Sequence, residues 1–147
     1  MRAVVTRVSS ASVEINSVIT GKIDKGFLVL LGIKNTDTEA DVVKLAAKVC
    51  NLRVFADADG KMNLNLETTG GRILVISQFT LYADLKSRRP GFTEAARPDT
   101  AIPLYELFID ECKSAGFTVE TGEFGAMMNV SSVNDGPVTI LFDTETM

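Results

Sequence analysis

Between Arg2 and Ile23 apolar residues alternate loosely with polar ones and pause at Ser9-Ser10 and Asn16-Ser17. That period of two predicts short antiparallel strands at Val4-Thr6-Val8, Val13-Ile15 and Val18-Ile19. Gly26 to Ile33 is apolar throughout, as in a strand covered on both faces. The period then becomes helical. Val42, Leu45, Ala46, Val49 and Cys50 share one face, and Thr36 with Glu39 three residues later fits a capping box ahead of them. Leu52-Arg53-Val54-Phe55 reads as a strand closed by Asp57-Ala58-Asp59-Gly60. That run resembles the opening of a calcium loop but has no bidentate Glu at the spacing an EF-hand requires, so a plain turn is expected.

The stretch around which the rest is organised comes next. Ile73-Leu74-Val75-Ile76 is a short, unbroken, mostly β-branched run after a Gly70-Gly71 turn, and predicts a strand in the middle of the sheet. Directly after it the side chains become small and polar, Ser77, Gln78 and Thr80, with Phe79 between them. Packing fixes where the end of a buried strand points, so these groups make a platform for a site. Ser and Thr at such a place also serve merely to satisfy local backbone groups.

Lys86 to Phe92 is loop-like, broken by Pro90 and Gly91. A second helix is expected from Ala101 to Ala115, with Pro103 in its first turn, Leu104, Leu107, Phe108 and Cys112 as its buried stripe, and Gly116 as its stop. Three β segments finish the chain: Phe117 to Thr121, Ala126 to Val133 and Val138 to Phe142. Asn134-Asp135-Gly136 is a turn signal between the last two, and local preference alone would make Gly136-Pro137 trans, since only about 5–6% of X-Pro bonds in folded proteins are cis. Together these elements predict one α/β domain spanning residues 1–147. The expected architecture is a layered β/β/α arrangement, with a mixed sheet or partly closed barrel and two main helices on one face.

Composition narrows the chemistry. Among 147 residues, 46% are hydrophobic, enough for a real core, and the longest apolar run is far shorter than the roughly 20 residues of a membrane span. The opening Met1-Arg2 lacks the pattern of a signal peptide, so the cytoplasm is the expected location. There is no histidine, which excludes Ser-His-Asp and Cys-His triads, a His-bound zinc and imidazole acid–base work. Cys50 and Cys112 are too few for a disulfide framework and fall on apolar helix positions, as buried free thiols do. The net charge of −4 argues against a broad nucleic-acid surface. Arg72 to Arg97 nevertheless holds five cations against two anions, beside the polar end of the central strand.

Ser77-Gln78-Phe79-Thr80 together with Gly136-Pro137-Val138-Thr139 resembles the signature pair of D-aminoacyl-tRNA deacylases. The likeness covers essentially the whole chain. It takes in Met1-Arg2-Ala3-Val4-Val5, the Phe27 to Ile33 strand, Leu52-Arg53-Val54-Phe55, Gly60-Lys61-Met62-Asn63 and Phe124-Gly125-Ala126-Met127-Met128. The departures are Ser87 and Gly91, where the family pattern has Gly and Ser, both in the basic loop.

The resemblance implies a homodimeric cytoplasmic hydrolase that needs no cofactor or metal and engages neither membrane nor DNA. It would release D-amino acids, and misacylated glycine, from tRNA as quality control of translation. Ser77, Gln78, Phe79 and Thr80 would hold the ester. A cis Gly136-Pro137 from the partner protomer would meet the α-ammonium and reject L side chains. Lys86, Arg88 and Arg89 would meet tRNA phosphates. The chemistry is compatible with a chain lacking histidine, because an aminoacyl ester is already activated and backbone N–H groups near Phe79 and Thr80 can stabilise the oxyanion. Attack assisted by the terminal 2′-hydroxyl of the RNA is favoured over a Thr80 nucleophile, for which the sequence offers no suited base. Phe79 is expected either beneath the terminal adenine or in the core. Two other readings remain open at this point: a single-strand-binding module that does not turn over its ligand, and a domain whose strands serve only dimerisation.

Overall fold

The computed structural model describes residues 1–147 and begins with a long strand, β1 (Arg2–Ile15), which Ser9-Ser10 does not interrupt. Asn16 and Ser17 both take positive φ, 49° and 65°, the geometry of a tight hairpin, and return the chain along β1. The return path is β2 (Val18–Ile23) followed by β3 (Gly26–Gly32). Both lie antiparallel on β1 in one continuous register, from Val13 opposite Gly21 through Ala11 opposite Ile23 to Arg2 opposite Gly32.

Beyond β3 the pairing becomes parallel. β6 (Arg72–Ser77) lies beside β3, and β7 (Val119–Thr121) beside β6. Parallel neighbours need a crossover, which α1 (Glu39–Cys50) supplies on the way from β3 to β6 and α3 (Pro98–Ser114) on the way from β6 to β7. Between α1 and β6 a small sheet forms from β4 (Phe55–Ala56) and β5 (Met62–Leu64), followed by the short helix α2 (Leu66–Thr69). The last strand, β8 (Asn129–Asp143), pairs with β1 and completes a six-stranded mixed sheet of order β2-β1-β3-β6-β7. β2 also approaches β6 and β7, so the sheet curls into the expected partly closed barrel.

Side-chain alternation on β6 divides the core in two. Ile73 and Val75 face the layer formed by α1 and α3, while Leu74 and Ile76 point into the curl with Val8, Val13, Ile23 and Leu28. All four β6 residues are at most 2% exposed, and each such burial contributes about 1.5–3 kcal/mol. Tyr105 of α3 fixes the helix layer to this strand by donating its hydroxyl proton to the Val75 carbonyl at 3.1 Å, and burial pushes its pKa up to about 12. Cys50 and Cys112 are free and buried. The neighbouring thiol and burial together push Cys112 above the ordinary thiol range.

Four local expectations need correction. The cap of α1 is Thr38 with Asp41, whose carboxylate accepts the Thr38 N–H at 2.8 Å, rather than Thr36 with Glu39. Asp37 is drawn elsewhere: it accepts the buried Met1 ammonium at 2.6 Å and the Lys34 N–H at 2.7 Å. α3 begins with Pro98 as its first residue, which leaves Pro103 inside the helix. Leu52 to Phe55 and Phe117 to Thr121 contribute only the shorter strands β4 and β7. The two expected C-terminal strands are one, β8, because Asp135 to Val138 form a bulge within it, between Asn134 and Thr139, and not a hairpin.

Candidate active site

Gln78 extends the parallel ladder past the end of β6, its N–H donating to the Leu31 carbonyl at 2.8 Å. The chain then tightens into a 3₁₀ turn, Phe79–Tyr82, closed by Leu81 N–H to Gln78 carbonyl at 3.2 Å and Ala83 N–H to Thr80 carbonyl at 3.1 Å. Gly32 is the floor of this turn. A Cβ there would stand 2.9 Å from Leu81 Cβ and 3.1 Å from the Gln78 carbonyl oxygen, so only glycine lets the turn settle on β3. The first N–H groups of such a turn have no acceptor within it, and those of Phe79 and Thr80 donate to no group of the chain. Gln78 donates its side-chain amide to Thr80 Oγ1 at 2.5 Å. The sequence-predicted residues Ser77, Gln78, Phe79 and Thr80 therefore form one rim.

Phe79 is 53% exposed, which settles its orientation outward. Its ring meets Phe92 edge to face, with centroids 5.0 Å apart. Tyr82, by contrast, is buried with an unpartnered hydroxyl, and burial first, then the charges of Asp37 and Asp143, push it well above the ordinary phenol range. Beside the rim lies an open groove of about 310 Å³. Ser77, Gln78 and Phe79 line one wall, and Phe124, Met127 and Met128 the other. It offers polar edges along a mostly apolar floor.

Phe92 also ends the basic loop. Asp84 and Gly91 pair through both their backbone N–H groups, at 2.7 and 2.9 Å, so the intervening residues project as a closed tip. Lys86 lies 3.6 Å from the Asp84 carboxylate, whereas Arg88 and Arg89 have no ion pair, and all three cations are exposed. The loop joins the rim through the Phe79–Phe92 contact.

The second signature is held elsewhere. Opposite Arg7 of β1, the four residues Asp135 to Val138 bulge from β8, which resumes regular pairing at Thr139 opposite Thr6. The Gly136-Pro137 bond is cis, and both residues are exposed. Gly136 has φ of 132°, open essentially to glycine, and a Cβ there would meet Arg7 Nη2 at 2.7 Å. Arg7 fixes the bulge by donating from Nε to the Asp135 carbonyl at 2.9 Å and from Nη1 to the Val54 carbonyl.

Within one chain the two signatures do not meet. β1 and β3 intervene between β8 and β6, and Ser77 aligns with Ala3 while the bulge aligns with Arg7. Strand spacing and rise put them about 20 Å apart. Ser77 to Thr80 and the basic loop are thus brought together; Gly136 and Pro137 are not.

Residue reading missed Arg7, Gly32, Phe124, Met127 and Met128 as members of the site. Arg7 stands in a strand that also holds Arg2, Thr6 and Glu14, so the local pattern did not single it out. Nowhere in the chain do three or more His, Cys, Asp or Glu side chains converge as metal ligands would. The arrangement offers hydrogen-bond donors to a developing negative oxygen and cations to an anionic polymer.

The chain is similar to known proteins along nearly its whole length. The D-Tyr-tRNA(Tyr) deacylase family model matches residues 4–143. D-aminoacyl-tRNA deacylase of Thermosipho africanus is 53% identical over 146 residues, covering 99% of this chain and 98% of its own. That of Thermus aquaticus is 54% identical over 145 residues, covering 98% and 95%. Among solved structures, the c-Myc DNA unwinding element binding protein superposes with a TM-score of 0.92 at 37% identity, covering 97% of this chain and 98% of that one. A probable eukaryotic D-amino acid tRNA deacylase shares the fold, with a TM-score of 0.81 at 17% identity. With a family model over residues 4–143 and relatives more than half identical over nearly the whole length, this chain is a member of the D-aminoacyl-tRNA deacylase family.

Proposed function

We propose that the protein hydrolyses the ester of D-aminoacyl-tRNA, releasing tRNA and the D-amino acid, at a site completed by a second copy of the chain. The observation that carries this is the separation of the signatures: Ser77 to Thr80 and the exposed Gly136-Pro137 lie about 20 Å apart in one protomer, so a joint site needs two. In that assembly the partner's motif would stand over the rim. Carbonyl oxygens of Gly136 and Pro137 receive the α-ammonium and crowd the volume an L side chain would occupy. Exclusion of this kind leaves glycine admitted, and misacylated glycyl-tRNA is a second substrate.

Water attacks the ester carbonyl carbon, the tetrahedral oxyanion is met by the N–H groups of Phe79 and Thr80, and the bond to the ribose 3′-oxygen breaks, its proton supplied from the attacking water. Losing one such oxyanion donor typically costs about 10²–10³ in rate. With no histidine and no carboxylate among the rim residues, the base is provided by the substrate: the 2′-hydroxyl of the terminal adenosine assists the attack. Ser77, Gln78 and Thr80 orient the ester, and Phe79 carries the adenine along the groove. Lys86, Arg88 and Arg89 meet acceptor-stem phosphates, which makes binding sensitive to salt and largely indifferent to tRNA sequence. No helix is long and apolar enough to cross a membrane, and the cytoplasm, where tRNA is charged, is the proposed place of work.

Ester loss from D-tyrosyl-, L-tyrosyl- and glycyl-tRNA tests the reading. Release from the D and glycyl substrates with the L ester spared is expected; binding without turnover would replace the enzyme by a single-strand-binding module. A D-tyrosyl-tRNA ending in 2′-deoxyadenosine, charged on its 3′-hydroxyl, should turn over slowly. Normal turnover of it, or complete loss of turnover in Thr80→Ala with binding retained, would move the chemistry onto the threonine.

A further inference from the structure

Arg2 joins the end of the last strand to the turn that follows β6. It opens β1 opposite Gly32 of β3 on one side and Asp143 of β8 on the other. Its Nε donates to Asp143 Oδ2 at 2.9 Å, and Nη1 donates to the Leu81 carbonyl at 3.0 Å. The guanidinium carbon stands 4.6 Å from the centroid of the Tyr82 ring. Asp143 is itself oriented, because Glu145 N–H donates to its other oxygen at 3.0 Å. One planar fork therefore joins the last strand to the 3₁₀ turn whose N–H groups stay free.

Leu81 is the residue after Thr80, and the turn otherwise rests on Gly32, where a Cβ would meet Leu81 Cβ at 2.9 Å. Gly32 limits how far the turn can sink; Arg2 holds the Leu81 carbonyl from the side. Displacing that carbonyl rotates the Leu81-Tyr82 peptide and loosens the turn's own bonds, Leu81 N–H to the Gln78 carbonyl and Ala83 N–H to the Thr80 carbonyl, and with them the segment that presents Phe79 and Thr80. A shift of 1 Å at a reacting centre costs about 10²-fold in rate.

We propose that Arg2 is a positioning residue for ester hydrolysis, holding the Phe79–Tyr82 turn in its catalytic geometry through the Leu81 carbonyl, with Asp143 aiming the guanidinium. This rests on the deacylase reading of the turn. It assigns Arg2 no contact with the substrate, although the side chain is 41% exposed. Lysine would not substitute, since an ammonium is a point charge that cannot span a carboxylate and a carbonyl in fixed directions.

The test is steady-state hydrolysis of D-tyrosyl-tRNA by the full-length wild type, Arg2→Met, Arg2→Lys, Asp143→Asn and the double variant Arg2→Met/Asp143→Asn. Lys34→Ala, which removes the neighbouring Lys34–Glu145 ion pair of 2.8 Å, is the control for general loosening of this corner. The expected result is a fall in kcat of about 10- to 100-fold for both Arg2 variants with KM within about twofold. A fall of the same kind is expected for Asp143→Asn, with no further loss in the double variant and none in Lys34→Ala. A rise in KM with kcat unchanged would make Arg2 a phosphate-binding cation and overturn the proposal. So would wild-type kcat in Arg2→Lys, or additive losses in the double variant. If Arg2→Met does not fold, Arg2→Lys and Asp143→Asn carry the test. A wild type that turns over no D-tyrosyl-tRNA would instead overturn the deacylase reading itself.

Discussion

The two signature segments sit on strands of opposite character. β6 is interior, covered on both faces and flanked by parallel neighbours; β8 pairs on one side only, and its residues from Asn129 to Pro137 are exposed. The Ser77–Thr80 rim inherits its rigidity from the core beneath it, while the Gly136-Pro137 bulge is held by surface hydrogen bonds, from Arg7 to the Asp135 carbonyl and from the Val138 N–H to Asn134 Oδ1. In the proposed assembly stability and selectivity are therefore assigned to different strands, and the exposed one would gain its function by reaching another protomer.

The largest expected effect is on the buried strand. Leu74→Ala should cost about 2–5 kcal/mol in a urea unfolding series, because Leu74 is fully buried and leaves a cavity. Leu141→Ala on β8, where the side chain is 76% exposed, should stay within about 0.5 kcal/mol in dilute protein. Equal costs would erase the distinction. The bulge should behave in the reverse way: Gly136→Ala, which drives a Cβ towards Arg7 at a φ of 132°, should lower D-tyrosyl-tRNA turnover about 100-fold while the unfolding midpoint moves little. Next comes Arg7→Met, which strips the Asp135 and Val54 carbonyls of their donor. About a tenfold loss of turnover with partial hydrolysis of L-tyrosyl-tRNA is expected, and unchanged selectivity would show that the bulge holds itself.

The smallest effect is on acid stability. Burial disfavours the Asp143 charge, but the hydrogen bond from Arg2 and the N–H of Glu145 outweigh it and hold the carboxyl below its ordinary value. A depressed folded-state pKa stabilises above the unfolded value of about 3.9 and ceases to do so as pH falls through the folded one. The stability gap between wild type and Asp143→Asn should thus be present at pH 6 and close below about pH 4. A gap independent of pH would mean that the charge of Asp143 plays no part.

Legibility in the sequence follows the same division. The buried strand was readable because an unbroken run from Ile73 to Ile76 has few other uses, and the change to Ser77-Gln78-Phe79-Thr80 marked its working end. α1 and α3 were readable from their helical stripes, though the cap was misplaced by two residues because Asp37 serves the Met1 ammonium, a partner 36 residues away. The bulge was misread as a hairpin. Asn134-Asp135-Gly136 has the local chemistry of a reversal, and only the long register of β8 on β1 decides against one. Gly32 and Arg7 were invisible for a related reason: each acts on a segment distant in sequence, Gly32 by being small under Leu81 and Arg7 by capping carbonyls of Val54 and Asp135.

Mixing two impaired variants tests most directly whether the site is shared between protomers. Gln78→Ala/Thr80→Ala strips the rim of the side chains that orient the ester and Gly136→Ala distorts the selecting motif, and each alone should hydrolyse D-tyrosyl-tRNA poorly. After mixing and exchange, a heterodimer holds one site with an intact rim from one copy and an intact motif from the other, so activity should return to about a quarter of the wild-type level. A mixture no more active than its components, under conditions where exchange is demonstrated, would contradict a site built from two chains.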